Sequence, residues 1–127
     1  MKKVTVQEQV ERDTQALMNR IARTRYEHET GGTTVDGMFV PTDDRSKTLI
    51  VGKYNRARLS EERGEAGWAT RWKTPNGWVT LDATQMQSLG EAVDDHVQAC
   101  FDREEELLNA VAAGTFTEAM LSEGWPG

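Results

Sequence analysis

The chain is poor in the residues that usually carry chemistry. Its 127 residues include one cysteine, Cys100, and two histidines, His28 and His96. A single cysteine excludes an internal disulfide, which fits a protein made and kept in a reducing cytoplasm or mounted on a particle assembled there. A zinc site needs three or four ligands. His96 and Cys100 stand four apart on one helical face, but His28 lies far from them in sequence. The pair therefore reads as a core cysteine beside a hydrogen-bonded histidine. A Cys–His nucleophile would need an oxyanion hole and an orienting group, and no motif marks either. Gly31-Gly32 lacks the spacing of a phosphate-binding loop. No run approaches the ~18 apolar residues of a membrane span. Val4 to Val10 is too polar for a signal peptide. The expectation is no enzyme, with no catalytic residues, cofactor or metal.

What the chain does have is helical periodicity. Met86, Leu89, Val93, Val97, Cys100, Leu107 and Val111 recur at steps of three and four, the signature of an amphipathic helix. Asp82 is its natural N-cap, and Gln85 can reach back as a capping-box partner. Gly114 suits the position just past the C-terminus. At ~1.5 Å per residue this rod is roughly 45 Å long, so its end projects or meets another chain. A first amphipathic helix covers residues 4 to about 29, with Val6, Val10, Leu17 and Ile21 on its stripe and Met18, Ala22 and Tyr26 widening it. That stripe covers the chain's own sheet or an oligomeric partner.

Two hairpins lie between these helices. Thr33–Val35 and Met38–Val40 flank Asp36-Gly37, a type I′ turn signal. Trp68 to Leu81 turns at Thr74-Pro75-Asn76-Gly77. Thr42 or Asp43 caps a middle helix in which Leu49, Ile50, Tyr54 and Ala57 share a face and Gly52 permits close packing; Ser60 to Gly67 reads as a loop. Thr115-Phe116-Thr117-Glu118 fits a capping box for a last short helix of about two turns. The fold class is α+β: an N-terminal helix over 1–29, then a domain over 30–127 whose two hairpins form a small antiparallel sheet packed on a middle and a long C-terminal helix.

The pleat of the second hairpin places Trp68, Thr70, Trp72, Val79 and Leu81 on the buried side. Arg71, Lys73, Trp78 and Thr80 face outward, and Lys73 is placed for a cation–π contact with Trp78. Trp and Arg are over-represented among residues that dominate binding energy. Arg71, Lys73 and Trp78 are accordingly the expected protein-interaction residues. Trp125, which folds back or enters a neighbour, is a second anchor. The net charge of −6 argues against general nucleic-acid binding. Residues 45–73 hold eight Lys/Arg against three Asp/Glu, while residues 74–127 hold one against ten. The two segments are expected to pack together, within a chain or between copies.

The run Thr42-Asp43-Asp44-Arg45-Ser46, with Leu49-Ile50, Gly52, Trp72, Leu81-Asp82-Ala83, Leu89, His96 and Gly124-Trp125-Pro126, resembles a domain of unknown function recurring in tailed-phage and prophage tail-fibre and tail-associated proteins. The resemblance spans residues 20 to 126 and leaves the helix ahead of Arg20 outside. It implies a non-enzymatic virion component that docks to a tail fibre or baseplate, as a homo-oligomer, and resides in the host cytoplasm during assembly. A tail-fibre assembly chaperone that leaves before maturation is the alternative, and a host-directed regulator or hydrolase is the reading from another class. The family brings no catalytic residues and no cofactor.

Overall fold

The computed structural model describes residues 3–127. They form helix α1 (Val6–Glu29), hairpin β1 (Thr33–Val35) and β2 (Met38–Val40), helix α2 (Asp44–Glu62), hairpin β3 (Ala69–Thr74) and β4 (Gly77–Asp82), helix α3 (Ala83–Ala113), and a 3₁₀ turn over Glu118–Ser122. The class is α+β. The hairpins do not merge into one sheet, as the alternation suggested; each is its own two-stranded antiparallel ladder, and β2 runs close to β3 without pairing with it. The described residues divide into two compact units, one of residues 3–28 with 99–126 and the other of residues 29–98 with 127.

In the unit of residues 29–98, local chemistry sets each junction. Asp36 and Gly37 take φ of 48° and 79°, which is the pair of positive angles a type I′ turn requires. Thr42 is the hinge between helix and hairpin. Its hydroxyl donates to the Glu29 carbonyl (2.7 Å) and accepts from the Gly32 amide (2.8 Å), fully buried. That leaves Asp43 as the N-cap of α2, accepting from the Ser46 amide at 3.2 Å. The Ser46 hydroxyl and amide together hold the Asp43 carboxyl below its ordinary range. Lys47 reaches back to Glu29 and to Asp44. Burial pulls the Lys47 ammonium down, but the hydrogen bonds and charges of Glu29 and Asp44 outweigh it and hold its pKa raised.

The core of this unit is Val40, Ile50, Ala57, Trp72, Leu81, Met86, Leu89 and Val93, each fully buried large aliphatic contributing about 1.5–3 kcal/mol. Three expectations about α2 fail. Leu49 is 51% exposed, while Ile50 and Ala57 are buried. Gly52 has open space where a Cβ would stand; the close approach is at Gly90, where a Cβ would come within 2.6 Å of Tyr54 Cδ2. The helix also runs on to Glu62, past the expected start of a loop at Ser60, which is buried with its hydroxyl donating to the Ala57 carbonyl at 2.8 Å.

Helix α3 starts with the reciprocal box expected of it. The Gln85 amide donates to Asp82 (2.8 Å) and the Gln85 side chain accepts from the Asp82 amide (2.9 Å). It ends in a Schellman motif, with Gly114 at φ 74°, its N–H on the Val111 carbonyl (3.2 Å) and the Thr115 N–H on the Ala110 carbonyl (2.9 Å). Residues 83–98 belong to the unit just described and 99–113 to the other.

In that other unit, Ile21, Cys100 and Leu107 are fully buried. Arg25 pairs with Glu104 at 3.3 Å, and its guanidinium lies 4.5 Å from the centroid of the Phe101 ring. Arg20 grips Glu118 through two hydrogen bonds of 2.8 and 2.9 Å. Glu118 is therefore a salt-bridge partner, and Thr115 does not cap a two-turn α-helix. Two carboxylates of the acidic stretch, Glu104 and Glu118, are answered from α1, by Arg25 and Arg20. Within the basic segment, Arg56 and Arg63 pair with Glu65, Arg58 with Glu62, and Lys47 with Glu29 and Asp44. The first three turns of α1 are uncovered, with Val6 83% exposed and Val10 exposed too. The stripe is buried only from Ile21.

Candidate protein-binding face

The β3–β4 register aligns Trp72 with Val79, Lys73 with Trp78, Arg71 with Thr80 and Thr70 with Leu81. Directly opposed residues share a face, so one register decides both sides of the ribbon. Inward lie Thr70, Trp72 and Leu81, all buried. Outward lie Arg71, Lys73, Trp78 and Thr80, all exposed, with Trp78 at 60%. The two-residue connection Pro75-Asn76 is braced by the Thr74 hydroxyl. It donates to the Gly77 carbonyl at 2.7 Å and accepts from the Asn76 amide at 3.2 Å. This bracing fixes the register that puts Trp78 outside.

Three of the four expected interaction residues are thus brought together on one rigid ladder. The fourth is not on it. Trp125 belongs to the other unit, half-buried, with its ring stacked on His28 (centroids 4.9 Å apart, planes within 6°) and its Nε1 donating to the Leu121 carbonyl at 2.8 Å. Among the described residues no cation–π contact joins Lys73 to Trp78; the guanidinium–ring contacts are those of Arg25 with Tyr26 and Phe101.

Two hollows in the unit of residues 29–98 were not visible in the sequence. One, of about 320 Å³, lies beside the hairpin turn and is lined by Pro41, Ser46, Leu49, Trp72, Lys73, Thr74 and Pro75. It explains the exposed Leu49, which forms a wall here. Trp72 borders it with an indole N–H that is buried and has no acceptor. The other, of about 380 Å³, lies between α2 and α3. Ile50, Val51 and Tyr54 make its apolar floor, Gly90 lets the Tyr54 ring approach α3, and Glu91, Asp94 and Asp95 add exposed carboxylates. The signal for this groove was the missing side chain at Gly90, which helical periodicity alone passes over.

His96 and Cys100 are buried on the apolar side of α3. Among the described residues no group of three or more His, Cys, Asp or Glu is placed to hold a metal. None of the described helices is long and apolar enough to cross a membrane.

These features define an α+β domain with a bare aromatic-cationic strand face and an acidic-rimmed apolar groove. The chain belongs to the family described as domain of unknown function DUF4376, whose profile matches residues 12–123. The match begins at Arg12, inside α1, so most of that helix, residues 12–29, is part of the family, including residues 12–19 that the resemblance left outside. No curated protein and no solved structure matches the chain.

Proposed function

We propose that this protein is a non-enzymatic bacteriophage tail component that docks to a tail fibre or baseplate through the outward face of β3–β4. The observation that carries the reading is Trp78, 60% exposed between Lys73 and Thr80 on a polar strand face. A bare indole beside two cations, Arg71 and Lys73, has the composition of a binding hot spot. The tail assignment is supported by the motif resemblance, from Thr42-Asp43-Asp44-Arg45-Ser46 to Gly124-Trp125-Pro126. Docking asks only for surface complementarity, and the residues on this face are suited to that and not to proton transfer.

The test is the protein content of purified mature particles, with cross-linking to find the neighbour. Recovery in mature particles next to a fibre or baseplate protein, lost in Trp78→Ala while the variant stays folded, is the expected result. Recovery only in immature particles assigns the assembly-chaperone role. A chain absent from both overturns the reading.

A further inference from the structure

We propose that the groove between α2 and α3 receives the Trp78 face of a second copy of this chain. The inference rests on the reading of that face as a docking surface and names its partner.

The two surfaces are complementary and share no residue. The outward face offers one large aromatic side chain and two cations, Trp78 with Arg71 and Lys73. The groove offers an apolar floor and three carboxylates, Glu91, Asp94 and Asp95. Its volume of about 380 Å³ accepts an indole, and it falls within the range of pre-formed ligand sites, about 300–1,000 Å³. Val51, on the groove floor, is 58% exposed, so apolar area is left wet on both sides of the match. Joining them covers the indole and the valine at once and sets opposite charges facing each other, which steers encounter and fixes orientation. The same logic appears in the sequence as a basic segment followed by an acidic one. Among the described residues the ion pairs of the basic segment go to Glu29, Asp44, Glu62 and Glu65, leaving Arg71 and Lys73 for another molecule.

A face that fits a different surface of its own kind makes a heterologous contact. Each added copy presents a new vacant face and a new vacant groove, so assembly closes into a ring or continues as a filament. Because its charged rim is exposed, the contact weakens as salt is raised.

Sedimentation of the full chain over a concentration series, at low and high salt, tests this. The wild type should self-associate at low salt and less at high salt. Trp78→Ala should weaken self-association by about thirtyfold or more, the scale of a hot-spot truncation. The groove variant Asp94→Lys with Asp95→Lys should also sediment as a monomer. The decisive arm mixes the two variants, since one keeps the groove and the other keeps the face. Their mixture should form a one-to-one complex and nothing larger. Both variants alter exposed side chains, and circular dichroism is to check that each is folded. A mixture that stays monomeric, or variants that associate like the wild type, overturns the proposal. A wild type that is monomeric up to millimolar concentration but enters particles in a Trp78-dependent way overturns the self-partner and leaves the docking reading standing. If Trp78→Ala changes neither self-association nor particle entry, both fall.

Discussion

Trp78 and Trp125 are the same residue in two regions that treat it oppositely. The β3–β4 ribbon has one face for its own core and one for the outside, and strict alternation puts Trp78 on the outside. The C-terminal tail has no such alternation. It folds its tryptophan against His28 and gives the indole N–H a carbonyl, and Arg103 fastens the backbone through the Met120 and Glu123 carbonyls at 3.0 and 2.9 Å. A tryptophan with every group answered inside its own chain is structural. One held in the open by a ladder whose core lies on the other side is the residue on which the docking proposal rests.

The sharpest way to probe that contrast is to cross the ribbon. Trp72→Ala empties the inward side and should destabilise by about 3–5 kcal/mol, the usual cost of truncating a buried aromatic. Its unanswered N–H lowers the native side chain's worth, so Trp72→Phe should cost far less; denaturant midpoints of both variants decide. Next is the clamp on the tail. Arg103→Ala should cost about 1–2 kcal/mol through lost hydrogen bonds, and should show as a red shift of Trp125 emission, with Trp78 already solvated in the wild type. If the tail stays ordered without Arg103, the stack on His28 is what holds Trp125.

Acid should act on the tail with a smaller effect. The Arg20 hydrogen bond holds the Glu118 carboxyl below its ordinary range. A depressed folded pKa contributes stability that is present above the unfolded value, about 4, and is lost as pH falls through the folded one. Asp43 at the start of α2 has the same sign. Lowering pH below about 4 should therefore release the tail from α1 and fray α2. Glu118→Gln should remove the first of these transitions, and raised salt should blunt it, since both partners are solvated. The smallest expected effect is Trp78→Ala on stability, within about 0.5 kcal/mol. A larger loss in the isolated chain would mean that the outward face is part of the fold after all.

Features set within a few residues of sequence were readable in advance. Asp82 and Gln85 cap α3, Gly114 ends it, Asp36-Gly37 turns the first hairpin, and alternation along residues 69–82 assigns the faces of the second. What escaped depended on residues distant in sequence. Gly52 and Gly90 look alike in a helical pattern, but only Gly90 has Tyr54 above it. Leu49 has the right spacing to be core and instead walls a hollow that Pro75 and Lys73 complete from another element. Glu118 looked like part of a capping box and was taken by Arg20, 98 residues away. Of the two proposed contact surfaces, the outward face of the ribbon was legible and the groove was not.

The open stretch at the start of α1 has a kinetic corollary. Residues 9 to 16 are all exposed, so what holds them helical is the Thr5 cap, the backbone ladder, and side-chain bonds such as Gln7 to Glu11 and Gln9 to Asp13. Helices of this length held by local bonds alone are marginal in water. Their amides should therefore trade hydrogen for deuterium soon after dilution, and a protease should nick there first, while the turns beyond Ile21 remain protected.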